Sequence, residues 1–397
     1  MAVIQIILWI LTVYVGIGVF YNFFYAIACL LPRKGKIEVQ SNPSRIAVFI
    51  PGYKEDSVIY HVAKKAAAHD YPENSFDVYV IADSFEETTL EKLRQLPVEL
   101  REVSFEKSTK AKSLNQVMGR IEEEYDIAVI LDADNEMDKG VLHKINSAYC
   151  SGFMAIQCHR TAKNANTHIS RLDGLSEEIN NSIYRKGHVR VGLSSALIGS
   201  GMAFDYKLFK NVMSEIDVIS GFDKELEIKL LLEKVKVCYL EDADVYDEKV
   251  QSSETLKNQR SRWLASQVSF ALKYYMLGWK KFFSEGNINL LDKTIQHTLL
   301  PRAFALVAMA TLGSISFLFG ETSLSLWIFR IFLLFTLAMF LAIPKRLYTL
   351  HTLNALLHLP FALSSMVASL FNMKKAKKTF INTPHHHFEE DEEEQGS

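Results

Sequence analysis

Asp132 and Asp134 are two carboxylates two residues apart, placed straight after the apolar run 126–131. Asp83 follows the run 77–82 in the same way. Carboxylates clustered like this concentrate negative charge, and hard cations such as Mg2+ or Mn2+ take oxygen ligands of that kind. Mg2+ completes its shell with water and substrate phosphates, so the pattern points to a nucleoside diphosphate. A plainer reading stands beside this one: an Asp after a strand often caps the next helix. For Asp83 taken singly the two readings are level; for the paired Asp132 and Asp134 the cap is the weaker.

The elements that must position these acids are short. Runs at 45–50, 77–82 and 126–131 are rich in β-branched residues and end in turn or polar residues, as buried parallel strands do. Helical patterns at 57–69, 86–95 and 112–124 lie between them. Strands alternating with helices of this length give βαβ units, hence an α/β domain with a parallel sheet. Ligands of such sheets sit at the carboxyl ends of the strands, where all three aspartates fall. A further strand is expected at 235–240, followed by an acidic loop holding Glu241, Asp242, Asp244, Asp247 and Glu248.

Apolar residues flank this domain. Residues 1–32 carry no charged side chain, and Arg33, Lys34 and Lys36 follow. That is long enough to span a bilayer, and the cations place this end on the cytoplasmic side. A cleaved signal peptide would want a basic segment ahead of the apolar one. The stretch 268–297, with Trp279, Lys280 and Lys281, reads as an interfacial amphipathic segment, and 298–343 as a transmembrane hairpin turning at Gly320. A third apolar segment, 347–373, would put Lys374, Lys375, Lys377 and Lys378 outside if it spanned, so an interfacial or re-entrant course is expected, with 374–397 a charged cytoplasmic tail.

The 397 residues carry 44 cations and 46 acids, a net charge of −2. Without the six acids of 389–394 the same 44 cations face 40 acids, a body of +4, which excludes a strongly cationic nucleic-acid binder. Four scattered cysteines with no C-x-x-C pair give neither a disulfide framework nor a zinc site.

Further motifs make the chain resemble the membrane-embedded family 2 glycosyltransferases, the group of cellulose, chitin and hyaluronan synthases. Pro51-Gly52-Tyr53-Lys54-Glu55 resembles the opening P-x-Y-N-E element, Lys110 to Asn115 the K-x-x-x-L-N element, and Asp132-Ala133-Asp134 the D-x-D element. Gly199-Ser200-Gly201 resembles the glycine-serine element beside the acceptor, and Gln259-Arg260-Ser261-Arg262-Trp263 the Q-x-x-R-W element. The resemblance implies a GT-A-type (Rossmann-like) cytoplasmic domain on α-helical transmembrane segments of the inner membrane. It implies an inverting transfer from a nucleotide sugar, with UDP the family-level expectation. Tyr53, Glu55, Asp83 and Lys110 would serve the donor. Asp132 and Asp134, Asp134 foremost, would hold Mg2+ or Mn2+. Gly199, Ser200, Gln259, Arg262 and Trp263 would flank acceptor and diphosphate.

The base is where this sequence departs from the family. Gly221-Phe222-Asp223-Lys224-Glu225-Leu226 stands where a T-E-D element is expected. Alignment of the following helix puts Glu225 at the base position, with Asp223 the alternative and a helix cap its other reading. The Q-x-x-R-W element suggests polysaccharide elongation. So few membrane segments would enclose no chain-width channel, and export would want a second copy or a partner. Two alternatives are transfer of one sugar to a lipid or polyprenyl-phosphate acceptor, and an inactive nucleotide-binding partner of a synthase.

Overall fold

The computed structural model describes residues 2–33, 35–218, 221–364 and 367. The 374–397 tail and the last part of 347–373 therefore lie outside the described residues. Among the described residues eight strands form one sheet: β1 (Ile46–Tyr53), β2 (Phe76–Asp83), β3 (Glu99–Val103), β4 (Ile127–Ile130), β5 (Glu136–Met137), β6 (Ala155–Ala162), β7 (Met202–Asp205) and β8 (Val237–Asp247). Their order is β3-β2-β1-β4-β7-β6-β8-β5.

The expected βαβ units are there, since β1 runs parallel to both β2 and β4, and β2 to β3. The sheet is nonetheless mixed. β7 lies antiparallel to β4 and β6. All of Ile46 to Ile50 is fully buried because helices cover both faces. The period of two sorts them: Ile46, Val48 and Ile50 pack under helices Ile59–Ala67 and Val141–Cys150, while Ala47 and Phe49 face helix Lys110–Met118. Full burial of each large side chain contributes about 2 kcal/mol.

One strand is longer than its sequence suggests. β8 does not stop at Leu240 but runs on to Asp247, and its pairing with β6 slips between Cys158 and His159, where His159 faces Asp244 rather than the next residue. The bulge absorbs Glu241 to Ala243. The acidic stretch is therefore strand, and it carries Asp247 to the carboxyl end of the sheet.

Among the described residues two helices, Ala2–Ala28 and Thr322–Ala342, are long and apolar enough to cross a membrane, and Ile288–Thr298 with Arg302–Leu318, bent by 53°, would make a third if the pair is one span. Leu8, Val15 and Val19 of the first pack against Met309, Leu312, Leu324, Ile328 and Phe335. Arg330 places its guanidinium 5.0 Å from the Trp327 ring centroid. Residues 253–285 form one continuous helix, so the expected interfacial segment 268–297 divides into the second half of the helix that carries Gln259 and Trp263 and most of helix Ile288–Thr298. Leu272, Met276 and Phe283 are exposed along it. In the 347–373 stretch, helix Leu350–Leu357 packs on helix His168–Asn180.

The apolar helices are joined tightly to the sheet domain. A Cβ on Gly187 would stand 2.5 Å from the Tyr25 carbonyl oxygen, so only glycine lets the chain pass there. The Tyr25 ring stacks on His188 at 3.7 Å, and the Tyr21 and Tyr25 hydroxyls donate to Asp292 Oδ1 at 3.0 and 2.9 Å. A fully buried ion pair, Lys293 to Glu227 at 2.7 Å, links helix Ile288–Thr298 to helix Phe222–Leu232. Lys293→Met strands the Glu227 carboxylate, and should lower unfolding stability by about 3 kcal/mol. Adding Glu227→Leu should recover most of that loss in the same denaturation measurement. A stable single variant would show that the pair holds nothing.

Candidate functional site

A cavity of about 810 Å³ opens at the carboxyl ends of β1, β2, β4 and β8. Every residue given a catalytic, binding or metal role from the sequence lines it except Ser200 and Glu225.

Asp83 ends β2 and is 1% exposed. Its Oδ1 accepts from the Ser84 hydroxyl at 3.0 Å, while Oδ2 is buried with no hydrogen-bond partner among the described residues. A buried carboxylate oxygen left so is costly unless a ligand donates to it. The backbone after β1 and β2 turns through left-handed residues, Lys54 (φ 55°) and Ser84 (φ 60°), an uncommon conformation for side chains of this kind that recurs at functional sites.

Lys110 opens helix Lys110–Met118, whose start is capped by Thr109. Its Nζ donates to Asp132 Oδ1 at 2.5 Å and to the Gly199 carbonyl at 2.8 Å, tying the end of β4 to the glycine loop. Burial would raise the Asp132 pKa, but Lys110 and Arg160 outweigh it and hold the carboxyl below its usual range. Ser200 lies behind this pair, fully buried, with its hydroxyl accepting from Arg160 at 3.2 Å.

Asp134 accepts from the Glu248 backbone N–H at 3.2 Å and from the Asn135 side-chain amide at 3.3 Å. That amide also donates to Asp247 Oδ1 at 3.1 Å and so holds the two carboxylates side by side. Oxygens of Asp132, Asp134 and Asp247 all lie within 4.8 Å of one another. Three carboxylates and no nitrogen or sulfur ligand suit Mg2+ or Mn2+. Cations already compensate part of the charge. Arg160 sits 2.7 Å from Glu177, 3.6 Å from Asp247 and 4.0 Å from Asp132, and buried Lys249 lies 2.5 Å from Asp247 and also pairs with Glu177. Burial opposes the Lys249 charge, yet Asp247 and Glu177 push its pKa up to about 12.

Helix Phe222–Leu232 supplies the acid expected to be the base. It begins at Gly221 (φ 76°), where a Cβ would stand 2.3 Å from Ser266 Oγ. Asp223, in the first turn, lines the cavity beside Gly199. Glu225 does not, and here the structure departs from the sequence alignment. Two residues turn an α-helix by about 200°, so Glu225 points the other way. Its carboxylate is 5% exposed and accepts from Lys273 Nζ at 3.0 and 3.2 Å and from the Tyr274 hydroxyl.

The opposite wall is helix Ser253–Glu285, capped by Ser252. Its first turns bring Gln259, Arg260, Arg262 and Trp263 to the cavity. Gln259 Oε1 is buried without a partner among the described residues, and Trp263 stays 42% exposed. Burial lowers the Arg262 pKa.

The sequence profile described as glycosyltransferase like family 2 matches residues 43–266, more than half of the chain. The chain belongs to glycosyltransferase family 2. The curated proteins similar to this glycosyltransferase include beta-monoglucosyldiacylglycerol synthases from Synechocystis sp., 23% identical over 279 residues (65% of this chain, 55% of that protein), and from Nostoc sp., 23% identical over 253 residues (62% and 54%). The chain thus spans about half the length of these relatives. They are named for a lipid product, not for cellulose or chitin. A mannosyltransferase from Pyrobaculum calidifontis, solved with GDP-Man and Mn2+, superposes with a TM-score of 0.59 at 15% identity, over 94% of this chain and 100% of that one. That likeness shows the shared GT-A fold.

Sequence reading of this family 2 member missed Asp247, Arg160, Glu177 and Lys249. Asp247 had a signal, since it ends an apolar-alternating strand just as Asp83 does. A buried strut behind the wall was equally hidden. His159 Nδ1 lies 2.7 Å from Asp244 and Nε2 3.1 Å from Glu178, which also takes Arg346 at 2.7 Å. Burial alone would lower the His159 pKa, but the two carboxylates raise it to about 9. A histidine raised above its unfolded value of about 6.5 stabilises fully below that pH and stops doing so as pH climbs through the folded value. Thermal stability should therefore fall between about pH 6.5 and 9. His159→Gln should remove most of that slope, and an unchanged slope would discount the strut.

Proposed function

We propose that this glycosyltransferase moves one sugar, with inversion, from a nucleoside-diphosphate sugar to the hydroxyl of a membrane lipid such as a diacylglycerol, at the cytoplasmic face of the membrane. The observation that carries the lipid acceptor is how the cavity wall is mounted. Ser176 and Asn180 of helix His168–Asn180 line the cavity, and both accept from Arg302 Nη2 (2.9 Å to the Ser176 carbonyl, 2.8 Å to Asn180), the first residue of apolar helix Arg302–Leu318. The reaction site is thus one helix away from the apolar bundle. Single transfer also needs no channel for a growing chain, and therefore no second copy or export partner. The names of the curated relatives support the same choice. Arg33, Lys36, Lys345 and Arg346 flank the apolar helices on the side of the sheet domain, which favours a cytoplasmic site.

Asp83 accepts from the nucleoside. Asp134 and Asp247, with Asp132 beside them, would hold a divalent cation that neutralises charge on the departing diphosphate. Arg262 serves the diphosphate as a planar donor, and Asp223 takes the proton of the attacking hydroxyl. Trp263 and Gln259 meet the acceptor. The test is a panel of nucleotide sugars with Mg2+ or Mn2+ and nanodiscs containing diacylglycerol, reading diphosphate release and product mass together. A lipid heavier by one sugar is expected. A long saccharide would return the site to polysaccharide synthesis.

A further inference from the structure

Arg260 lies between Gln259 and Arg262, and nothing in the transfer as proposed uses it. Its guanidinium carbon stands 4.3 Å from the Trp263 ring centroid, three residues along the same helix face. Its Nη2 donates to Asp173, which belongs to the facing wall helix His168–Asn180. Both charged side chains are nearly buried, 14% and 9% exposed, and both residues line the cavity. The Arg260 Nε is buried without a hydrogen-bond partner among the described residues. An ordinary surface ion pair would leave the guanidinium free to swing. Here Asp173 holds one end of it, while its central carbon sits 4.3 Å from the indole centroid.

We propose that Arg260, braced by Asp173, is the positioning residue that fixes the Trp263 ring as the platform for the acceptor head group. This rests on the acceptor role given to Trp263 above. An indole held by a stacked cation loses its rotamer freedom before the acceptor arrives, so binding no longer bears that ordering cost. Arginine is required rather than any cation, because only a planar guanidinium can pair with a carboxylate and cover a ring at once.

The experiment compares Arg260→Lys and Arg260→Met in the full chain in lipid nanodiscs, measuring acceptor KM, donor KM, kcat and melting temperature. Lysine keeps charge opposite Asp173 but loses the plane; methionine keeps only the stem. Both should raise acceptor KM about tenfold, with donor KM changed by less than about twofold and Arg260→Lys melting close to wild type. Wild-type acceptor KM in Arg260→Lys would reduce the contact to an ion pair and overturn the proposal. So would a donor KM that rises in step with acceptor KM, the mark of a general distortion. The lipid reading fails separately, on product mass: if wild type makes a long saccharide, the same KM split measured with a saccharide primer still decides the role of Arg260.

Discussion

Asp223→Asn is expected to lower kcat by about 10²–10⁴-fold while leaving donor affinity near wild type, since general base catalysis contributes on that scale and the amide keeps the shape of the side chain. Glu225→Gln should behave in the opposite sense. The Glu225 carboxylate is turned to Lys273 and Tyr274 and ties helix Phe222–Leu232 to helix Ser253–Glu285. Its loss should lower thermal stability and leave most of the turnover. Steady-state kinetics with nucleotide-binding calorimetry on both variants separates the roles. A dead Glu225→Gln that melts like wild type, beside an active Asp223→Asn, would reverse the assignment. Asp223 also opens its helix, where a carboxylate is favoured for the helix alone. Asp223→Ser therefore makes a useful third variant. Serine can serve at a helix start but cannot act as the base, so it should melt normally and still fail to turn over.

The two acids show where sequence reading reaches its limit. The strand ends were legible, because a buried parallel strand is written as a short β-branched run, and Asp83, Asp132 and Asp134 follow such runs directly. The motif stretch from Gln259 to Trp263 was legible as chemistry, and it does reach the cavity. Asp223 and Glu225 stand 36 and 34 residues before Gln259, and both spacings suit a base. Only the rotation of the helix separates them, and that is set by Gly221 lying against Ser266 and by Tyr274 receiving Glu225. Those are contacts between segments about 45 residues apart, which no local pattern records. β8 failed for a different reason. Its acids at 241–244 look like loop because a bulge carries them out of register with β6. Arg160 and Glu177 were invisible in sequence since each is a single charge whose partners lie on other elements.

Asp247 is the residue through which the metal assignment is best tested, because it stands apart from the D-x-D pair in sequence and beside it in space. Asp132 is already engaged by Lys110 at 2.5 Å, so much of its charge is spent in holding the glycine loop. Asp134 and Asp247 share the Asn135 amide, which holds them side by side, and Asp247 also meets Lys249 at 2.5 Å. A divalent ion bound there would stabilise the leaving diphosphate by several kcal/mol, so Asp134→Asn and Asp247→Asn should each cost about 10³-fold in kcat/KM. Wild-type turnover should vanish with chelator and return with Mg2+ or Mn2+. The direct readout is Mn2+ binding in the presence of nucleoside diphosphate, followed by electron paramagnetic resonance. Both variants should lose it, whereas Asp132→Asn should weaken donor binding more than metal binding. Removing Asp247 also leaves Lys249 with Glu177 as its remaining carboxylate at the pair, so a stability control belongs with it. Lys249→Met serves: it disturbs the same ion pair and spares the carboxylates. If Lys249→Met loses Mn2+ as completely as Asp247→Asn does, Asp247 acts by anchoring Lys249. If Lys249→Met keeps the ion while Asp247→Asn loses it, the third carboxylate is a ligand that β8 brings to the end of the sheet.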